Sequence, residues 1–527
     1  MNKQTSRRDV LRLGALAVAE LALVRVASCT PGSTRQGPGS PWLYTGGTEI
    51  DLGPGSWCWF SSPRLVVDGS GRLYAGSVTT GTGTEADGDI VVSTVDLARH
   101  QVVSRTVVGH TPDPDDHAHP SLSLPNGPHG RVQVAWSPHS GRPELGYVYG
   151  GMLGQSLAPI TAPFTGSAYA AATVVAGERW ILTRRGTPYS WQLLRYNGTT
   201  WDNLGDITAG VPSRYQAKPR PYHLVTSSGT ALHLFVSTSN PSDCPGSSVY
   251  HGTVGADLKV RRTDGTVVGT VGSSPPPITT LTPVWDGHRS GGRDGRGWPV
   301  AASWADGQPT VVISTRDTYG PASMRVRGAT SQLRYVWARQ TANRTWNAEH
   351  LAWAGSELYP AQPDYSGLAA LDPQDPFRVV VSTNVHPSSG APLRSRADGR
   401  VHWELFEGHR SIIGAWAWSP VTSNSSADNL RPSIAAGGGH RALTWMRGSY
   451  PHYTAGDTHL RFEPPRPHPD REPRPSIRLA SPLSESRRAC QRTSDQGAWA
   501  ELEPGRSRSR SWAPALRSSR SHQRALA

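Results

Sequence analysis

Short alternating apolar segments folded about tight Gly, Asp, Asn or Pro turns recur through most of this chain, and that recurrence limits its fold more than any other feature. Between about Pro41 and Phe462 the stretches RLVVDGSGRLYAG, HPSLSLPNGPHGRVQVAW, AATVVAGERWILT, YHLVTSSGTALHLFV, AASWADGQPTVVIS, LAALDPQDPFRVVVST and PSIAAGGGHRALTW each read as two strands around a turn. The unit returns roughly every 50 to 65 residues, so a body of roughly 420 residues at about 60 per blade predicts an all-β, seven-bladed β-propeller over residues 41–462. A β-sandwich would need far fewer strands, and a β-helix would need shorter, regular coils. The 56 Gly, 45 Pro and 19 Trp, with no long apolar-periodic helix, agree with an all-β body.

The flanks read differently. Residues 1–35 carry Ser6-Arg7-Arg8-Asp9-Val10-Leu11, a mostly apolar run from Leu13 to Val24, and Val26-Ala27-Ser28-Cys29. This pattern resembles a twin-arginine export signal with a lipoprotein-type cleavage box, which predicts an exported protein, secreted or held at the cell surface by a lipid on Cys29. Residues 463–527 turn into a Pro-, Arg- and Ser-rich stretch without apolar periodicity, expected to be a disordered tail.

These flanks also explain the charge. Of the net +13, the segment from Glu463 onward, with 13 Arg against seven acidic residues, supplies +6 and residues 1–35 supply +4. A body at only +3 lacks the basic stripe of a phosphate-binding surface, which argues against nucleic acid. Four cysteines, Cys29, Cys58, Cys244 and Cys490, form no CxxC pair and so no zinc-ribbon or redox signature. Cys58 and Cys244, the two in the body, are either one disulfide or two buried thiols.

Turn positions indicate which polar side chains meet. A turn centred near Gly127 sets His117 opposite His139, and one near Gly177 sets Tyr169 opposite Arg185; Tyr222 opens the next hairpin at the comparable place. Three consecutive blades thus present imidazoles, phenols and a guanidinium at matching ends, where a propeller converges on a central pocket. Such a set suits β-elimination at a uronate, which needs a cation on the sugar carboxylate, a base for the adjacent C–H and an acid for the leaving oxygen. His117-Ala118-His119 would put both rings on one strand face, a spacing that suits a metal, although no third ligand for His119 is evident. Asp115 and Asp116 would point to opposite faces of a strand, unsuited to a hydrolase carboxylate pair but able to orient His117.

At these residues the chain resembles the BNR-repeat family that includes ulvan lyases of seven-bladed propeller fold. The matching stretches run in order from GSWCWFSSPRLVV and GDIVVSTVD, through DDHAHPSL, RPYHLV and SSVYHGTVGADLKVRRTDGT, to YSGLAALDPQDPFRVVVST and NLRPSIAAGGGHRALTWMRGSY. The resemblance implies an acidic polysaccharide substrate, with His117 as proton-abstracting base, Tyr169 as acid and Arg185 as carboxylate neutraliser. Tyr222, His139 and Arg184 would then contact substrate. No cofactor is expected for the chemistry, any structural metal ion is left unassigned, and the chain is expected to act as a monomer. Two other classes compete: a non-catalytic glycan-binding propeller, suggested by the abundant Trp, and a glycoside hydrolase or sialidase-like enzyme. Against the last, the S-x-D-x-G-x-x-W box of sialidases survives only as SRADGRVHW, and no arginine triad is evident.

Overall fold

The computed structural model describes residues 49–463 except 81–85, 113, 140–145, 162–167, 187–188, 213–218, 243, 289–294, 317–332 and 361, together with the residue pairs 42–43 and 466–467. The export signal with Cys29, and nearly all of the expected tail, lie outside the described residues.

Seven antiparallel sheets follow one another around a ring, six of them with four strands and the fourth enlarged to six. The innermost strands are Leu65–Val67, Ser121–Ser123, Ala168–Val175, Tyr222–Ser227, Arg296–Ala305, Ala369–Leu371 and Asp428–Gly437. The chain is therefore a seven-bladed β-propeller. The ring closes through its ends: Ile50–Pro54 is the outermost strand of blade 7, with Ile50 paired to Phe462 and Pro54 to His459. Residues some 400 positions apart in sequence so share one sheet, and no exposed gap is left between the first blade and the last.

Local chemistry sets the hairpins. In blades 3, 5 and 7 the first two strands are joined by Ala176-Gly177, Asp306-Gly307 and Gly438-Gly439, every one with positive φ, between the partners Val175 and Glu178, Ala305 and Gln308, and Gly437 and His440. Two successive left-handed residues twist the turn to match the strands, which is why Gly and Asp stand there. The same three blades carry a bulge near the start of the inner strand, between Ala168 and Ala171, Pro299 and Ala301, and Leu430 and Ser433. Two bulge residues, Tyr169 (φ 59°) and Arg431 (φ 51°), are left-handed without being glycine. Such strain, of order 1–3 kcal/mol each, re-aims a side chain away from the pleat.

Trp supplies much of the packing. Trp346 lies between blades 4 and 5 against Phe235 and His251, and Trp416 between blades 5 and 6 against Trp337 while donating to Glu349 Oε1 at 2.9 Å. Burying roughly 200 Å² of such a ring is worth about 5 kcal/mol at most. Among the described residues no Trp figures among the exposed large apolar side chains, so the tryptophans that suggested a glycan-binding surface have a structural use.

The segment Ser56–Pro63 crosses the wheel's centre. Trp59 meets Trp298 at 5.0 Å and Tyr365 at 5.2 Å, and Phe60 meets Tyr222 at 4.7 Å and Tyr169 at 5.5 Å. A cavity of about 410 Å³ runs along the axis with a residue from every inner strand in its wall, from Val66 in blade 1 to Ile434 in blade 7, and Trp59 also lines it. Trp59 and Phe60 thus stand between this axial cavity and the His, Tyr and Arg cluster. Cys58 and Cys244 are both buried and are not joined to each other, which decides between the disulfide and the two thiols.

Candidate active site

Asp115 organises the cluster. It caps a single 3-10 turn, Asp116–Ala118, by accepting from the His117 backbone N–H, and the same carboxylate takes both imidazoles: His117 Nδ1 lies 2.5 Å from Oδ1 and His139 Nδ1 2.8 Å from Oδ2. The two rings stack at 4.4 Å and 26°. They do not oppose each other on a ladder, as the turn arithmetic expects. The paired residues are Ser121 with Ala135 through Ser123 with Gln133, and both histidines lie beyond those strands, brought together by the shared carboxylate.

The reading of His117 and His119 on one strand face needs correction. In the 3-10 turn the two rings diverge: His119 is fully buried, with its Nδ1 2.9 Å from the Asp116 carbonyl oxygen, and burial drops its pKa to about 3. The metal-compatible trio among the described residues is Asp115, His117 and His139, whose ligand atoms lie within 4.8 Å of one another. Near-parallel stacked rings aim their in-plane lone pairs side by side rather than at one point, so the trio fits hydrogen bonding to Asp115 better than tetrahedral coordination.

Asp116 has a separate task. Its Oδ2 accepts from Arg431 Nη1 and from the Tyr450 hydroxyl, its Oδ1 lies 3.0 Å from His117 Nδ1, and its N–H donates to the Tyr453 carbonyl at 3.0 Å. Blade 7 is thereby fastened to the His117 turn. Arg431 also donates to the Trp57 carbonyl at 2.5 Å, tying the central segment to the same point.

Electrostatics separate the two imidazoles. Burial alone would lower the His117 pKa, but Asp115 and Asp116 outweigh it and hold the ring protonated well above the free-imidazole value. His139, pushed down by burial and then by the neighbouring His117 cation, stays neutral; its Nδ1–H is given to Asp115 and its Nε2 is left as a basic lone pair. Burial would raise both carboxyls. The histidines nevertheless keep Asp115 far below the carboxylate range, and Arg431 with His117 brings Asp116 to about 2.

The guanidinium in this site belongs to Arg184. Arg185 is exposed and outside the strand, whereas Arg184 ends the strand Glu178–Arg184 paired to Ala168. The expected register fails because the two-residue turn at Ala176-Gly177 and the bulge at Tyr169 shift the pairing. Arg184 is 5% exposed, with its Cζ 4.6 Å from the Tyr169 ring and 5.2 Å from that of Tyr222. Its Nε and Nη1 are buried and make no hydrogen bond among the described residues. Tyr169 lies 5.3 Å from His117 and 5.9 Å from Tyr222. Burial and then Tyr222 hold the Tyr169 phenol well above its usual pKa; at Tyr222 burial works the same way, but Arg184 and Arg220 together offset it and lower that phenol.

Of the residues named from sequence, His117, His139, Tyr169, Tyr222 and Arg184 thus share one site and Arg185 does not. Sequence reasoning gave no role to Arg431, Tyr450 and Tyr453. All three come from blade 7, more than 300 positions from Asp116, and only ring closure brings them there. Arg431 and Tyr450 do lie inside NLRPSIAAGGGHRALTWMRGSY, one of the stretches on which the family resemblance rests.

Fold and site together define a propeller with a buried imidazole, phenol and guanidinium cluster at one mouth. No family model matches the chain, and no curated protein matches it by sequence. Among solved structures it is similar to an ulvan lyase from a new family of polysaccharide lyases, with 10% identity, a TM-score of 0.55 and coverage of 79% of this chain and 96% of that one. Two further propeller structures superpose less well: an α-L-arabinanase of Penicillium chrysogenum (13% identity, TM-score 0.38, 79% and 99% covered) and a subtype N11 neuraminidase-like protein of A/flat-faced bat/Peru/033/2010 (9%, 0.36, 79% and 96%). At these identities the likeness establishes the fold.

Proposed function

We propose that this protein is an exported polysaccharide lyase that cleaves uronate-containing, ulvan-like polymers by β-elimination. One observation carries the reading: Arg184 is a buried guanidinium whose Nε and Nη1 have no partner among the described residues. An unneutralised cation in a dry site costs stability, and a two-donor fork matches a sugar carboxylate. Charge neutralised at the uronate acidifies its C5–H. His139 Nε2, left unprotonated by burial and the His117 cation and oriented by the Asp115 bond at Nδ1, takes that proton. The electron pair left on C5 forms the C4–C5 double bond as the C4–O bond breaks, and the departing oxygen takes a proton from the Tyr169 phenol. The His117 imidazolium balances Asp115 and Asp116 and adds positive potential toward developing enolate charge. Relative to the sequence expectation, the base passes from His117 to His139 and the neutraliser from Arg185 to Arg184.

A glycoside hydrolase needs one carboxyl held protonated as an acid. The two carboxylates of this site, Asp115 and Asp116, are both held ionised in ion pairs, which favours elimination. Incubating the full chain with ulvan and a panel of uronate polymers should release unsaturated ends that absorb ultraviolet light. Saturated reducing ends, or no product across the panel, would refute the lyase reading.

A further inference from the structure

We infer that Tyr453 is a substrate-positioning residue, a platform for the sugar ring next to the one held by Arg184; the inference rests on the lyase reading above. Tyr453 stands edge-on to His117 at 4.9 Å and lies 6.2 Å from His139. Tyr169 meets the same two imidazoles at 5.3 and 5.8 Å, and the two tyrosines make no ring contact with each other, so the imidazole pair stands between them. Arg184 lies over Tyr169. A polymer whose uronate carboxylate is on Arg184 and whose scissile region faces the imidazoles therefore runs on toward Tyr453.

Three features mark this ring as a contact surface. It is half-buried where Tyr169 is 2% exposed, so part of the ring reaches solvent beside the imidazoles. Its hydroxyl makes no hydrogen bond with a described residue. Its backbone is fixed at two points, directly through the Asp116 N–H on the Tyr453 carbonyl and indirectly through the Tyr450 hydroxyl on Asp116. A rigid aromatic face of this kind stacks on the C–H face of a sugar at little entropic cost. The His452 ring packs against Tyr453 at 3.9 Å and Tyr359 lies 5.5 Å from His452, so the ring is held from behind by its neighbours.

The test uses ulvan as the probe and the full chain carrying Tyr453→Ala or Tyr453→Phe, with thermal melting to verify folding. Tyr453→Ala should raise KM about 5- to 20-fold with kcat nearly unchanged, and Tyr453→Phe, which keeps the ring, should leave both near wild type. An unchanged KM in Tyr453→Ala overturns the platform. So does a fall in kcat shared by both variants, which would make the hydroxyl a proton carrier. If the unmodified chain yields no unsaturated product, the lyase reading fails separately, and equilibrium dialysis of ulvan oligosaccharides still tests the platform: equal affinity for wild type and Tyr453→Ala refutes it.

Discussion

Replacing Arg184 by Met separates function from stability, because the two are expected to respond in opposite ways. The side chain is 5% exposed and carries two buried donors without a partner among the described residues. Two charge-assisted hydrogen bonds to a carboxylate, each worth about 1.5–3 kcal/mol, would vanish from the transition state. At about 1.4 kcal/mol per factor of ten, kcat/KM should fall by about 10² to 10⁴. Stability loses the ring contacts of the guanidinium with Tyr169 and Tyr222, about 1–2 kcal/mol each, but gains from no longer burying an unneutralised ion, so the two nearly cancel. The melting temperature should therefore move by less than about 5 °C. Arg184→Lys, which keeps the charge without the planar fork, should fall between, and Arg185→Ala should match wild type because that side chain is exposed. The assay is initial-rate release of ultraviolet-absorbing ends beside a thermal melt. Activity within tenfold of wild type, or a large drop in melting temperature, would show Arg184 to be a structural cation and refute the reasoning.

Other expectations follow from the same charges. Asp116→Asn leaves Arg431 buried against Tyr450 and Trp59 without its carboxylate, and should cost about 3–5 kcal/mol in a urea titration; adding Arg431→Met should restore part of it. Burial lowers the pKa of His223 to about 3 and of His233 to about 4, and holds His251 well below 6.5, so the unfolded chain binds more protons in acid. The stability these three provide is complete above about pH 6.5 and falls by up to about 1.4 kcal/mol per His per pH unit below it, which urea midpoints between pH 7 and 5 would show. His117 has the opposite sign: its raised pKa adds stability below pH 6.5 that is lost as pH climbs through the folded value. Because His139 is neutral at lower pH than free imidazole, the acidic limb of the kcat/KM profile should lie below 6.5, and His139→Ala should abolish turnover while leaving that limb unmeasurable. Alkylation of the unfolded chain without reductant should label both Cys58 and Cys244.

The wheel was legible because its signals are local. Turn pairs such as Asp306-Gly307 and Gly438-Gly439 demand positive φ, and the alternation beside them marks strands that a tight turn must pair. Register was less legible. Counting from the glycine rather than from the middle of Ala176-Gly177 moves the pairing by one position, enough to exchange Arg184 for Arg185, and the bulge at the non-glycine residue Tyr169, which has no sequence mark, moves it by one more, so that Arg184 pairs with Ala168. His117 and His139 were brought together for an incomplete reason, since a capped 3-10 turn and a shared carboxylate, rather than a ladder, hold them.

What sequence spacing could not supply is the contribution of blade 7, and it determines how the carboxylates behave. Asp115 and Asp116 are neighbours in sequence, and two adjacent carboxylates left alone would repel and keep one proton between them. Asp116 is instead claimed by Arg431 and Tyr450 from the far end of the body, and Asp115 by two imidazoles, so both stay ionised and neither can serve as a general acid. Arg184, flanked by rings rather than carboxylates, is the cation left over. The site thus presents a protonated imidazole, a neutral one and a guanidinium whose Nε and Nη1 have no partner among the described residues, and it is on this arrangement that the proposed elimination rests.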